Sequence, residues 1–189
     1  MKIALYFGSF NPIHVGHLII ANHVINETDT DQLWFVVSPH NPLKESASLL
    51  NEHQRLHLVR LAIEEEAKFQ ASNIEFGMPR PSYTIDTLTF LEEKHSEHQF
   101  SVVMGGDSFQ NITKWKNHKT LLEKYDLLVY QRPGFEIDAS LSKRMQILQA
   151  PLLEISSTRV RKLIKERKSF RYLVTNPVLE EIEAGGYYR

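Results

Sequence analysis

The chain has 189 residues, of which 42% are hydrophobic and 24% charged, as in a globular protein that can bury a sizeable core. Its formal net charge of −1 lacks the basic excess of a dedicated nucleic-acid binder, and its lack of cysteine excludes disulfides, zinc thiolate sites and thiol catalysis. No apolar stretch approaches the ~20 residues of a membrane span, and the apolar run at the N-terminus is too short for a signal peptide. We therefore expect one cytoplasmic domain over residues 1–189, with a small helical part at about 156–189 and neither nucleic-acid nor membrane partners.

A strand, a tight loop and a helix are predicted at the start of the chain. Residues 2–7 form a short apolar run typical of a buried strand, and residues 18–25 carry apolar groups at helical spacing. The unpaired N–H groups in the first turn of a helix, with the positive end of its dipole, favour an anion. This unit is therefore predicted to bind phosphate.

Two histidines and two glycines lie in the loop of this unit. Gly8 and Gly16 allow the backbone to approach a ligand closely. His14 and His17 are three residues apart, so both face one side of the first turn and can donate to phosphate oxygens. Two histidines at this spacing also occur as metal ligands, but no carboxylate lies near them in the chain to complete a zinc set. Phosphate binding is the better interpretation.

A second unit of the same kind is predicted near the other end of the chain. Residues 151–155 are strand-like, and Ser156 or Ser157 can cap a helix whose apolar face lies within 160–164. Arg161 and the two hydroxyl groups lie beside the free N–H groups of this helix start. Two phosphate-binding helix starts on one sheet indicate a triphosphate between them.

Strand-like and helix-like segments alternate between these units, which predicts an α/β fold with a doubly wound, Rossmann-like parallel sheet and helices on both faces. Further strands are predicted at 33–38, 74–76, 100–104 and 126–131, and helices at 51–67, 84–95 and 175–185. Ligands of such sheets bind beyond the carboxyl ends of the strands. The loops that follow predicted strands, and from which we expect the site to be built, are 8–17, 38–44, 105–108, 131–134 and 156–161.

Both phosphate motifs resemble those of the nucleotidylyltransferase superfamily. His14-Val15-Gly16-His17 is similar to its H-x-G-H signature, and residues 155–161 are similar to its I-S-S-T-x-[IV]-R motif. The middle of the chain, with 81–88, Gly105-Gly106-Asp107, Trp115 and 132–134, resembles the bacterial nicotinate mononucleotide adenylyltransferases. This resemblance implies transfer of an adenylyl group from ATP to nicotinate mononucleotide, with release of pyrophosphate, in NAD biosynthesis.

The resemblance also implies roles for individual residues. His14 and His17 are the expected catalytic residues. The residues expected to bind ATP and its phosphates are Gly8, Ser9, Phe10, Gly16, Lys44, Gly105, Asp107, Ile155, Ser156, Ser157 and Arg161. Nicotinate mononucleotide is expected to contact Tyr83, Thr84, Trp115 and Arg132. Mg²⁺ is expected to bind mainly through ATP and pyrophosphate, so no side chain is assigned to a metal.

Several alternatives remain at this stage. Trp115 is also compatible with a core or rim aromatic, and Thr84 with a helix N-cap. A pantetheine-phosphate adenylyltransferase would share both phosphate motifs, although the length of the chain, residues 81–88 and Trp115 argue against it. The basic residues within 159–171 are compatible with a nucleic-acid-binding module, but a solvated helix face explains them better. A homo-oligomer is compatible with the sequence, which does not fix the oligomeric state.

Overall fold

The structure, a computed structural model, describes residues 1–39, 49–151 and 154–189. Its strands are β1 (Lys2–Gly8), β2 (Gln32–Val37), β3 (Phe69–Ser72), β4 (Gln99–Gly105), β5 (Asp126–Tyr130) and β6 (Met145–Leu148). They form one sheet in the order β3-β2-β1-β4-β5-β6, and every neighbouring pair is parallel. This order confirms the doubly wound parallel sheet predicted from the sequence.

Helices connect the strands, and two further helices come after the last strand in the chain. They are α1 (Val15–Glu27), α2 (Glu52–Ile63), α3 (Thr84–Lys94), the short α4 (Gly106–Phe109), α5 (His118–Lys124), α6 (Ser157–Lys165) and α7 (Asn176–Gly185). Short 3-10 helices occur at Ile74–Gly77, Ile112–Lys114, Ala139–Leu141 and Arg171–Leu173. No helix in the described ranges combines the length and apolarity needed to cross a bilayer.

The core consists of two apolar layers, one on each face of the sheet. Alternate residues of β1 belong to different layers: Ala4 and Tyr6 pack with residues of α1, α2, α6 and α7, whereas Ile3 and Leu5 pack with residues of α3 and α5. This alternation follows from the period of two in a strand. It confirms that helices cover both faces.

One strand prediction was wrong, and one strand was missed. Residues 74–76 form part of a 3-10 helix, and β3 lies earlier, where its residues pair with 33–36 of β2. The apolar side chains of Ile74 and Phe76 nevertheless pack against the core, from opposite layers. The sixth strand of the sheet, 145–148, pairs with 127–130 of β5 and was not predicted. Residues 152 and 153 of the strand predicted at 151–155 lie outside the described residues. The short helices α4 and α5 were missed.

Helix starts were predicted more accurately. Asn51 caps α2 and accepts a hydrogen bond from the N–H of His53 at 2.9 Å, although the helix ends at Ile63 rather than at 67. Ser156 caps α6, accepting from the N–H of Arg159 at 3.2 Å. Helix α7 has a proline in its first turn, as predicted, and Gly186 ends it in the left-handed conformation with φ 63°.

The strand order reverses between β1 and β4. From β1 the chain proceeds to β2 and β3 on one side, and β4 to β6 lie on the other. In a parallel sheet with this order, the crevice beyond the carboxyl ends of the two central strands is where ligands bind. The loop after Gly8 and the loop after Gly105 meet at this crevice.

Candidate active site

A cavity of about 290 Å³ lies beyond the carboxyl ends of β1, β4 and β5. The described residues that line it come from the loop after β1, from the starts of α1, α4 and α6, and from the end of β5. A second cavity of about 390 Å³ adjoins it and shares His14, His17, Arg132, Ile155 and Ser156. The starts of α1 and α6, predicted separately to bind phosphate, therefore lie in one site.

The two histidines at the start of α1 form a stacked pair. Their ring centroids are 3.7 Å apart and the ring planes differ by 22°. The backbone N–H of His14 donates to Nδ1 of His17 at 3.2 Å. Because Nδ1 accepts this bond, a neutral His17 carries its proton on Nε2. His17 thus has an N–H donor on the side of the ring away from the backbone.

His14 is buried, with only 6% of its surface exposed. Burial, and then the positive charge of Arg132, lower the pKa of His14 from 6.5 to about 4. Both effects disfavour the protonated, cationic form of this imidazole.

The loop after β1 packs closely onto the strand and onto α1. Phe10 has a φ of 42° and its ring lies over Gly8, where a Cβ would come within 2.8 Å of it. A Cβ at Gly16 would come within 3.0 Å of Nδ1 of His14. Both glycines therefore allow side chains of this loop to lie directly on backbone.

The start of α6 is bound to this loop. Ser157 Oγ donates to the carbonyl of Pro12 at 2.8 Å, and the guanidinium of Arg161 donates to the carbonyl of Asn11 at 2.7 Å. Arg161 also donates to Thr158 Oγ1 at 3.3 Å. These contacts join the two phosphate motifs, and Arg161 has N–H donors beyond these two bonds.

Arg132 also lines the cavity. Its guanidinium is 3.4 Å from a carboxylate oxygen of Asp107 and donates to the hydroxyl of Tyr130 at 3.2 Å. The carboxylate of Asp107 lies directly over Gly105, where a Cβ would overlap with it. The end of β4 therefore places Asp107 against Arg132, within the site.

Most of the residues that the sequence predicts to bind ATP and its phosphates meet here. Those lining the first cavity are Gly8, Ser9, Phe10, Asp107, Ile155, Ser156, Ser157 and Arg161. The predicted catalytic residues His14 and His17 line it too, as does Arg132, which was predicted to contact nicotinate mononucleotide. Gly16 lines the adjoining cavity, and Gly105 lies beneath Asp107. Lys44 lies outside the described residues.

Of the four residues predicted to contact nicotinate mononucleotide, Tyr83, Thr84 and Trp115 lie at the other layer of the structure and Arg132 lines the cavity. Tyr83 and Trp115 pack against the apolar layer of α3 and α5, and neither lines the first cavity, which we call the phosphate cavity because the helix starts predicted to bind phosphate line it. Lys116 lies 4.9 Å above the ring of Tyr83. Phe7 packs with the same layer and also lines the cavity, so it lies between the two regions. Thr84 is the first residue of α3, and Tyr83 occupies the N-cap position.

A buried carboxylate supports the start of α3. Glu75, only 2% exposed, accepts hydrogen bonds from Ser82 Oγ at 2.8 Å and from Thr87 Oγ1 at 2.9 Å. These two residues flank Tyr83 and Thr84. The sequence analysis missed Glu75, because one acidic residue in a short apolar segment gives no indication of distant hydroxyl partners.

Arg55 was also missed. Its side chain is fully buried, and its guanidinium donates to the carbonyls of Ser9, Ser38, Pro39 and Leu50 at 2.5 to 3.0 Å. It therefore joins the loop after β1 to the loop after β2. The available signal was its position on α2, three and four residues before Leu58 and Val59 on the apolar face.

Comparison with known proteins agrees with this geometry. The model of the cytidylyltransferase-like family matches residues 5–163. The chain is 50% identical to a probable nicotinate-nucleotide adenylyltransferase of Cytophaga hutchinsonii, covering 100% of this chain and 98% of the relative. It is 46% identical to a protein of the same description from Flavobacterium johnsoniae, with both chains fully covered. The fold is similar to that of the nicotinic acid mononucleotide adenylyltransferase of Plasmodium falciparum complexed with NaAD, with a TM-score of 0.85 at 21% identity, covering 99% of this chain and 97% of the other.

Proposed function

We propose that this chain, which belongs to the cytidylyltransferase-like family, adenylylates nicotinate mononucleotide. It matches probable nicotinate-nucleotide adenylyltransferases over its whole length. ATP and nicotinate mononucleotide give nicotinate adenine dinucleotide and pyrophosphate, a step of NAD biosynthesis. Both substrates of this reaction are nucleotides. The solved structures of the Plasmodium falciparum enzyme, which has a similar fold, are complexes with NaAD and with APC.

One observation carries this proposal: the starts of α1 and α6 line one cavity at the crevice of the sheet, with His14, His17 and Arg161 directed around it. Two helix starts offer unpaired N–H groups and positive dipole ends to one ligand. Such a site suits a polyphosphate better than a single phosphate.

In the proposed reaction no side chain forms a covalent intermediate. A phosphate oxygen of nicotinate mononucleotide attacks the α-phosphorus of ATP, and the bond from that phosphorus to the bridging oxygen of the β-phosphate breaks. Pyrophosphate leaves with the electron pair. Catalysis then consists of positioning and of stabilising charge on phosphate oxygens.

We assign His17 Nε2–H to a transferring phosphate oxygen, since the bond from the N–H of His14 fixes its tautomer. His14 contributes a second donor, and the β- and γ-phosphates lie against Ser156, Ser157 and Arg161. Asp107 contacts the adenosine. Lys44, predicted to bind phosphate as well, keeps that role as a proposal.

Mg²⁺ is proposed as the metal ion, held through the nucleotide. Among the described residues that line the first cavity, Asp107 alone is acidic, and it faces Arg132. The donors around the cavity are imidazole, guanidinium and hydroxyl groups, which suit phosphate oxygens rather than Mg²⁺. Bound to those oxygens, Mg²⁺ neutralises charge on the polyphosphate.

The acceptor is proposed to place its pyridine ring near Tyr83, Thr84 and Trp115. The indole of Trp115 would stack on the positively charged ring, and N–H groups at the start of α3 would bind its carboxylate. Support comes from the packing of Phe7 between this layer and the phosphate cavity. Arg132, at the cavity wall, would contact the acceptor from the other side.

Pyrophosphate release tests the proposal. Purified protein is given ATP and Mg²⁺ with nicotinate mononucleotide, nicotinamide mononucleotide or phosphopantetheine as the acceptor. We expect release to be fastest with nicotinate mononucleotide, together with formation of nicotinate adenine dinucleotide. Activity with phosphopantetheine alone would identify a pantetheine-phosphate adenylyltransferase, and no activity with any acceptor would reject adenylyl transfer.

A further inference from the structure

The turn between α3 and β4 brings two imidazoles and a carboxylate together. His95 follows the last residue of α3, and the N–H of His98 donates to the carbonyl of His95 at 3.0 Å. The carboxylate of Glu97 lies 3.4 Å from Nε2 of His98 and 4.0 Å from Nδ1 of His95. One potential ligand atom from each of the three residues lies within 4.8 Å of the others.

Packing holds the two imidazoles in place. Their planes differ by only 4°, with centroids 5.6 Å apart, and the ring of His98 packs against the ring of Phe100. Nδ1 of His98 is buried and has no hydrogen-bond partner among the described residues. Nε2 is therefore the nitrogen of His98 that can reach a ligand, and it faces Glu97.

This donor set matches a transition metal. Zn²⁺ binds histidine nitrogen and carboxylate oxygen at about 2.0 to 2.2 Å in tetrahedral geometry, so its ligand atoms lie roughly 3.3 Å apart. The pair at 3.4 Å already has this separation, and the side chain of Glu97, 64% exposed, can rotate to shorten the pair at 4.0 Å. Mg²⁺ and Ca²⁺ prefer oxygen ligands alone.

We propose that His95, Glu97 and His98 form a site for a late first-row divalent cation such as Zn²⁺, with water completing the coordination. Three protein ligands and one open position are sufficient for tetrahedral zinc. The bound ion would join the end of α3 to the start of β4.

This site lies apart from the nucleotide site. The cluster directly precedes β4, so it lies at the amino ends of the strands, whereas the phosphate cavity lies beyond their carboxyl ends. The seven residues of β4 alone separate the two ends by roughly 20 Å. The metal would therefore stabilise the fold without contacting substrate, and the inference is independent of the proposed reaction.

Calorimetric titration with Zn²⁺ tests the site. We expect His95→Ala and Glu97→Gln to weaken Zn²⁺ binding at least tenfold. His57→Ala is the matched control. Its imidazole also lies close to a carboxylate, 3.8 Å from that of Glu181, but it belongs to no cluster of three potential metal ligands among the described residues, so its loss should leave binding unchanged. Zn²⁺ at about 100 times its dissociation constant should raise Tm by roughly 5 °C in the unmodified protein, but not in His95→Ala.

Trp34 provides a local reporter. Its ring lies 6.2 Å from that of His95, so Co²⁺ bound at the cluster should quench Trp34 fluorescence. Trp34→Phe, which keeps a buried aromatic ring and leaves Trp115 as the remaining tryptophan, should lose most of the quenching. Zn²⁺ affinity unchanged in both His95→Ala and Glu97→Gln would overturn the site. So would binding that disappears in His17→Ala, because the ion would then belong to the stacked histidines of the phosphate cavity.

Discussion

The hydroxyl of Tyr188 donates a 2.9 Å hydrogen bond to the side-chain oxygen of Asn11, 177 residues earlier in the chain. The same oxygen accepts from the N–H of Leu50 at 3.1 Å. Burial raises the pKa of Tyr188 well above its usual value of 10, so the phenol remains a donor at physiological pH. The last residues of the chain therefore help to hold the loop that carries His14, although the sequence motifs give no sign of it.

Tyr188→Phe removes this bond and little else. We expect a loss of about 1 kcal/mol in the free energy of unfolding, since Asn11 keeps its bond from Leu50, and a rise in KM for ATP with a smaller change in kcat. Tyr187→Phe is the control, because the hydroxyl of Tyr187 bonds to Glu181 rather than to the loop. Urea denaturation and steady-state kinetics measure both variants. Equal effects in the two would show that Tyr188 does not position the loop.

His17→Ala should lower kcat by about 100- to 1000-fold while the protein stays folded. A donor directed at charge that develops in the transition state contributes roughly 3 to 4 kcal/mol. His23→Ala, on the same helix, should leave kcat nearly unchanged. Turnover and circular dichroism of both variants decide the matter, and near-normal turnover in folded His17→Ala protein would remove the central assignment. His14→Ala should resemble His17→Ala.

The low pKa of His14 predicts a pH-dependent stability. Between pH 6.5 and about 4 the unfolded chain binds a proton at His14 that the folded protein does not, so stability is lost as the pH falls through this range. The difference between 6.5 and about 4 corresponds to roughly 3 kcal/mol. His14→Gln should reduce this loss by that amount when urea midpoints are compared from pH 4 to 7. Parallel curves for the two proteins would contradict it.

Arg55→Met should destabilise the protein by at least about 3 kcal/mol. It leaves four carbonyls without their donor and opens the junction between the loops after β1 and β2. Arg60→Met on the exposed side of α2 is the matched control and should change stability by less than about 0.5 kcal/mol. Chemical denaturation gives both values. A small effect at Arg55 would mean that water replaces the guanidinium without cost.

Local patterns predicted the parts of the structure that local chemistry determines. The starts of α1 and α6 depend on short segments, and both were predicted correctly, while the binding of phosphate by their residues stays a prediction. The strand at 145–148 was missed because four residues are too few for a recognisable pattern, and it is their parallel pairing with β5 that defines them as a strand. The partners of Arg55 lie 5 to 46 residues away, a relationship that no periodicity encodes. The single domain over 1–189 and the cytoplasmic location stay predictions.

Acceptor choice is the sharpest test of the nicotinate region. N–H donors aligned on a carboxylate discriminate against an amide, because the amide presents its own N–H groups to them and leaves buried groups unpaired at about 1 to 3 kcal/mol. Nicotinate mononucleotide should therefore have a kcat/KM at least about tenfold above that of nicotinamide mononucleotide, the ratio that ~1.4 kcal/mol supplies.

Trp115→Ala should reduce kcat/KM for the acceptor by roughly fivefold or more, since a desolvated cation–π contact contributes about 1 to 2 kcal/mol. The Kd for ATP should stay within about twofold, because the indole would touch only the pyridine ring of the acceptor. Kinetics with both acceptors, beside direct ATP titration of each protein, separate the two effects. A parallel loss of ATP affinity would mean that Trp115 supports the fold from the apolar layer it packs against rather than binding the acceptor. Equal use of the two acceptors by the unmodified protein would instead overturn the specificity assigned to Tyr83 and Thr84.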